Sequence, residues 1–235
     1  MCMPTRSCKL APFEYYHLYN RGVNHQQTFF DERDFARFIF LILHKQSPTV
    51  STTLISYYIP EFFRQHEWST TDTTVMKIVG TRAIELVNFC LMDNHFHLTV
   101  RELKEGGISK YMQRIGNAYT KYFNIKYRRK GHLFEAPFKA VHVKNNVQLL
   151  HLSAYIHRNP REIRGWRGKE KAYPWSSLGD CIEKNRWGRL LSPEVILKQF
   201  GKEEKTQCVG YKKFVETSTA KNQRASLLEE HLFDK

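Results

Sequence analysis

From His95 to Val100 the chain runs His-Phe-His-Leu-Thr-Val, alternating polar and apolar side chains without a break. A period of two is that of an extended strand, whose successive side chains point to opposite faces. His95, His97 and Thr99 therefore share one face, and Phe96, Leu98 and Val100 share the other. One face can enter a core while the other offers two imidazoles to a single metal ion, a common histidine role. Residues 83–91 are rich in branched and apolar types and read as a second strand. Asp93-Asn94 supplies turn chemistry between the two, which predicts a hairpin.

Other elements follow from periodicity and punctuation. Tyr15 to Val23 reads as a first strand, closed by Gly22. From Asp31 on, Phe35, Phe38, Ile39, Leu41 and Ile42 predict a helix with an acidic first turn. Val75 to Val79 reads as the opening of a strand. The clearest helix spans Ile108 to Tyr127, where Ile108, Tyr111, Met112, Ile115, Tyr119, Tyr122 and Phe123 keep the three-and-four spacing of one buried stripe. That spacing assigns Tyr111, Tyr119 and Tyr122 to core packing. Leu133 to Val143 reads as extended chain, and a further helix runs from about Asn145 to Arg158, ahead of Pro160. Residues 46–75 form a polar, Ser/Thr-rich insertion around an aromatic island.

Beyond Gly165 the composition shifts to Trp, Pro, Gly and charges, with a short helical piece near Glu194 to Phe200 and a polar, frayed end. The expected organisation is one domain over 1–165, with its insertion, and a basic C-terminal extension of short helices over 166–235. The order strand, helix, strands, helix, strand, helix defines an α+β fold, an antiparallel sheet with helices packed on one face.

Charge narrows the partner. Thirty-seven Lys and Arg stand against 23 Asp and Glu, a net charge of +14, and most of the excess falls between Arg101 and Lys171. Such an excess favours a polyanion. No apolar run reaches the roughly 18 residues that cross a bilayer, and residues 1–6 lack the apolar stretch of a secretory signal, so nucleic acid is the expected partner and a membrane is not. The five cysteines are scattered and without metal-ligand spacing, which suits a reducing cytosol. Arg21, Arg128, Arg129, Lys130, Lys139, Arg158 and Arg161 are candidate phosphate contacts, which position a nucleic acid without reading its sequence.

On the helix over 145–158, steps of four align His151, Tyr155 and Asn159 in one row beside the apolar stripe Leu149, Leu152 and Ile156. Alone, Tyr155 suits an interfacial core residue with a wet hydroxyl, and the histidines suit a strand-face pair bonded to backbone. Taken together, they offer two imidazoles, a phenol and a carboxamide to one phosphodiester. A phenolate can attack phosphorus and hold the strand as a covalent ester, with His151 as a possible assisting group. Ligation by two histidines and oxygen donors suits Mg²⁺ or Mn²⁺, a Lewis acid at the scissile phosphate.

Five segments carry a resemblance. Asn94-His95-Phe96-His97-Leu98 resembles the His-hydrophobe-His (HUH) strand of single-tyrosine transposases, above all the REP-associated tyrosine transposase group. Tyr19-Asn20-Arg21-Gly22-Val23-Asn24, Gly131-His132-Leu133-Phe134-Glu135 and Tyr155-Ile156-His157-Arg158-Asn159-Pro160 are similar to its other motifs, and Tyr173-Pro174-Trp175-Ser176-Ser177 to the segment that follows them. The resemblance covers about residues 12–180. It implies a ferredoxin-like or RRM-like antiparallel sheet of the HUH endonuclease kind, with Tyr155 as nucleophile, and with His95, His97 and Asn159 as ligands of a divalent metal, Mg²⁺ or Mn²⁺. It further implies cleavage and rejoining of single-stranded DNA near hairpins through a 5′-phosphotyrosine, by a cytoplasmic, nucleoid-associated protein acting as monomer or homodimer. Two other readings remain open at this point: a hairpin-DNA-binding protein without turnover, and a metallophosphodiesterase that uses water and keeps Tyr155 for packing.

Overall fold

The computed structural model describes residues 9–50, 73–135 and 137–218. Its centre is a four-stranded antiparallel sheet built from β1 (Tyr15–Arg21), β2 (Ile84–Leu91), β3 (His95–Glu102) and β4 (Lys139–Val143), in spatial order β2-β3-β1-β4. β2 and β3 form the hairpin that the alternation predicts, with a register shift between Leu86 and Asn88. The α+β architecture with an antiparallel sheet is thus the one expected from the order of elements.

One face is largely apolar. Tyr16 and Leu18 of β1, Phe89 of β2 and Phe96, Leu98 and Val100 of β3 pack against α1 (Glu32–His44) and α3 (Gly107–Lys126). Asp31 caps α1 by accepting the Asp34 backbone N–H at 3.1 Å, the device expected at a helix start. The α3 stripe is buried as its periodicity predicts: Tyr111 and Tyr119 are fully enclosed, and their hydroxyls donate to the carbonyls of Ile42 and Thr28, both at 2.7 Å. Tyr122 is partly buried and donates to Asp34 Oδ1 at 2.9 Å.

The second face is covered too. α4 (Asn146–Arg158) lies across β2, β3 and β4, and α5 (Leu178–Ile182), α6 (Glu194–Leu197) and α7 (Glu204–Thr217) close around it. Helices therefore flank the sheet on both sides. Residues 166–218 are not set apart from the rest: Trp187, Leu190 and Leu191 join the first core, and Tyr173, Leu178, Cys181, Ile196, Leu197 and Tyr211 build the second.

The segment Tyr173–Ser177 runs along the outer edge of β2. Leu91 N–H donates to Trp175 O at 2.9 Å, Ser177 N–H donates to Phe89 O at 3.0 Å, and Cys90 and Ser176 form an antiparallel bridge. That strip satisfies an edge that would otherwise present open backbone groups.

Two expectations are corrected. Residues 75–79 are not a strand but lie within α2 (Thr73–Thr81), where Val75 and Ile78 are buried one helical turn apart. The three-residue spacing of those apolar positions outweighs their β-branching. The extended stretch 133–143 pairs as a strand only from Lys139, with Phe134 bridging Gly22 on its own. Most of the insertion at 46–75 and the polar end beyond residue 218 lie outside the described residues.

Asp34 is the most heavily bonded buried carboxylate in the first layer. It accepts from Phe30 N–H (2.9 Å), Tyr122 hydroxyl (2.9 Å), Lys126 Nζ (2.7 Å) and Tyr127 hydroxyl (2.6 Å). Asp34→Ala leaves these donors, one of them charged, without their acceptor. The expected cost is about 3–5 kcal/mol, read as a drop in the urea midpoint at unchanged slope; a change under about 0.5 kcal/mol overturns the assignment.

Candidate active site

The register places the site residues side by side. On the sheet face beneath α4, His95 and His97 of β3 lie opposite Arg21 and Tyr19 of β1, and Thr99 lies opposite His17. The rings of His95 and His97 stand 5.0 Å apart and nearly perpendicular, at 85°. α4 brings Tyr155 over them, its ring centroid 5.5 Å from His97 and 6.3 Å from His17. Asn145 starts this helix by accepting the Gln148 N–H at 2.9 Å, and its apolar stripe Leu149, Leu152 and Ile156 seats it on the sheet.

Asn159, one turn beyond Tyr155, is buried and completes the group. Its Nδ2 donates to the Tyr155 carbonyl at 2.9 Å, and its carboxamide lies close enough to His95 and to the Tyr155 phenol to bias the protonation of both. Two histidines, a phenol and a carboxamide predicted from two distant stretches of chain are thus brought into one cluster.

The hydrogen bonds select tautomers. Asn94 Nδ2 donates to the His25 carbonyl at 3.2 Å, which turns Oδ1 towards His95 Nδ1 at 2.7 Å. An amide oxygen only accepts, so His95 Nδ1 carries the proton and Nε2 keeps its lone pair. The His25 carbonyl comes from a tight turn in which Asn24 and His25 both have positive φ, 55° and 59°. His97 Nδ1 lies 2.9 Å from His17 Nε2, and His97 Nε2 is buried with no hydrogen-bond partner among the described residues.

Burial dominates the electrostatics. It holds His17 down to about 3, His95 to about 4 and His97 well below the usual histidine value, so all three imidazoles are neutral at pH 7. For His95 the Asn159 carboxamide opposes that shift and the nearby Arg21 guanidinium adds to it. Neutral imidazole is the metal-ligating form. The Tyr155 phenol is pushed well above the ordinary tyrosine value, first by burial and then by the Glu162 carboxylate, with Asn159 pulling the other way. At neutral pH it therefore carries its proton.

These residues fit a divalent cation. An unpartnered buried Nε2 on His97, a lone pair left on His95 Nε2 by Asn94, and the Asn159 carboxamide provide two nitrogens and an oxygen. Among the described residues no three His, Cys, Asp or Glu side chains gather in metal-binding geometry.

The remaining candidates are spread over the molecule. The ring of His151 packs 5.4 Å from Phe214 of α7. Arg21 points to the site face and pairs with Glu135 at 3.3 Å. Lys139, opposite Tyr19, is exposed at the start of β4 on that same face. Arg158 follows Tyr155 at the end of α4, and Arg161 is ion-paired with Glu170. Arg128, Arg129 and Lys130 form the turn after α3, where Arg129 lies over the Phe123 ring. Sequence reasoning missed His17 and Asn94, although both sit inside quoted motifs or the first strand; counting alternate positions along β1 would have put His17 on the Arg21 face.

A sheet bearing a histidine pair, with a tyrosine helix laid across it, defines an HUH-type single-tyrosine transposase fold. Residues 52–159 match the family described as Transposase IS200 like. Its fold is similar to that of a REP-associated tyrosine transposase solved bound to a REP hairpin, with a TM-score of 0.51 and 12% identity, covering 82% of this chain and 93% of that one. No curated protein matches the chain by sequence. No helix among the described residues is long and apolar enough to cross a membrane.

Proposed function

We propose that this transposase cleaves and rejoins single-stranded DNA near a hairpin through a 5′-phosphotyrosine on Tyr155. The observation that carries the reading is the position of Tyr155, whose ring lies 5.5 Å from that of His97, with Asn159 bonded back to the Tyr155 carbonyl one turn on. In the reaction the Tyr155 oxygen bonds to phosphorus, the phenolic proton passes to solvent, and the bond to the 3′-oxygen breaks. That oxygen takes up a proton and leaves as a free 3′-hydroxyl. Rejoining runs the same exchange backwards, with the ester conserving the bond energy.

His95, His97 and Asn159 would hold Mg²⁺ or Mn²⁺, which as a Lewis acid supplies stabilisation of charge developing on the phosphate. Asn94 keeps the His95 lone pair directed away from the backbone. Arg21 and Lys139, on the same sheet face, are placed to meet the phosphate chain as it approaches. The DNA held by the structural neighbour is a REP hairpin, which supports a hairpin substrate here.

End-labelled single-stranded hairpin DNA incubated with the protein and Mn²⁺ tests the reading on a denaturing protein gel. A protein-linked label is expected only when the label lies 3′ of the cut, and it is expected to disappear in His95→Ala and on chelation. Release of a free 5′-phosphate without any adduct would instead establish hydrolysis by water.

A further inference from the structure

His17 is absent from the site residues read from sequence, yet it is fully buried directly beneath them. Its Nε2 lies 2.9 Å from His97 Nδ1, and the two rings stack 5.1 Å apart at 24°. Tyr19 packs against both rings, its centroid 4.9 Å from His17 at 28° and 5.9 Å from His97 at 37°. In this packing His17 aims a single nitrogen at His97.

The shared hydrogen bond admits two proton arrangements. If His17 Nε2 donates, His97 Nδ1 is the acceptor and His97 must carry its proton on Nε2, which closes that nitrogen to a cation. If His97 Nδ1 donates, the lone pair of His97 Nε2 is open towards Tyr155 and His95. Only the second arrangement is compatible with ligation by His97, and it requires an acceptor where His17 Nε2 stands. Histidine ligands generally donate their second N–H to a neighbouring group that fixes tautomer and ring orientation; His95 does so to Asn94.

We propose that His17 is a positioning residue, an imidazole acceptor that fixes His97 as its Nδ1–H tautomer and aims the Nε2 lone pair into the metal site. The inference rests on the cation site assigned above. It makes the two ligands separately supported, His95 by a carboxamide from the turn before β3 and His97 by a ring from β1.

The test compares three chains: the native protein, His17→Phe, which keeps a planar ring without an acceptor, and His17→Gln, whose Oε1 reaches about as far as the imidazole Nε2. Long-range ¹H–¹⁵N spectra of the imidazoles, taken without metal, are expected to show His97 protonated on Nδ1 in the native protein and in His17→Gln, and no longer fixed in His17→Phe. Mn²⁺ titration followed by electron paramagnetic resonance of the free ion is expected to show binding about 10–100-fold weaker in His17→Phe, largely recovered in His17→Gln. Circular dichroism confirms that each variant is folded before comparison.

A native His97 protonated on Nε2 overturns the proposal, as does undiminished Mn²⁺ binding by a folded His17→Phe. A native Nδ1–H tautomer that collapses in His17→Phe, in a protein that binds no Mn²⁺, upholds the positioning by His17 and overturns the metal reading of the site instead.

Discussion

Tyr155→Phe is expected to abolish covalent capture of DNA while leaving the fold and the DNA affinity close to those of the native protein. The substitution removes one oxygen. The ring remains over His97 and keeps its place beside α4's apolar stripe, so the loss in stability is that of the hydroxyl's polar contacts, about 1 kcal/mol. The chemical loss is of another order, because no other group in the cluster supplies a nucleophilic oxygen. Tyr19 is the other phenol on this face, but it lies within the sheet beside His97, whereas Tyr155 comes from the helix laid over both histidines. Adduct formation should fall by about 10³-fold or more, measured with labelled hairpin DNA, while a filter-binding Kd stays within about threefold. A labelled adduct of undiminished yield in Tyr155→Phe would sink the assignment and direct attention to Tyr19.

Acid should unfold this protein early, and histidines are the cause. His157 of α4 is fully buried between Tyr211 and Ser177, bonding to their hydroxyls at 2.7 and 2.9 Å, and burial holds it to about 3. His17 is held to the same level. Each folded-state value lies below the unfolded one, near 6.5, so between the two the unfolded chain binds more protons than the folded one. Stability from these groups is therefore fully present above about pH 6.5 and is lost as pH falls towards 3. Each such group contributes a slope of about 1.4 kcal/mol per pH unit, so His157 alone removes about 2 kcal/mol by pH 5. With His17 the loss is about 4 kcal/mol, a fall of about 10 °C in Tm between pH 7 and pH 5 for a chain of this size. His157→Gln should be less stable than the native protein at pH 7, by about 1–3 kcal/mol, yet lose stability less steeply with acid. Parallel slopes for the two proteins would remove His157 from the account.

Much of this architecture was legible because local pattern and burial agree. The two-residue period at 95–100 is visible since Phe96, Leu98 and Val100 all enter one apolar core, and the α3 stripe since every member of it meets the same core. Asp31 and Asn145 were readable as helix starts because capping is local chemistry. The candidate residues Tyr155 and Asn159, one helical turn apart, were legible through the step of four and through motif resemblance together. What stayed hidden depends on partners far away in sequence. His17 becomes meaningful only through its pairing with β3, some eighty residues on. Asn94 acts through the carbonyl of His25. α2 was misread because β-branched residues were given more weight than their spacing. α7 went unread because its buried face is sparse, with Tyr211 and Val215 alone fully enclosed, so its polar composition masked the helix.

The family match ends at Asn159, but the foldable unit does not. Without Tyr173–Ser177 the outer rim of β2 would offer an unzipped template for a neighbouring chain, and without α5 to α7 the upper surface of α4 would lie bare beside Tyr211's vacated slot. A chain cut at the last shared motif should retain every candidate catalytic residue and still precipitate by edge-to-edge association. The segments that close the β2 edge and cover α4 thus lie beyond the matched stretch, between residues 173 and 217.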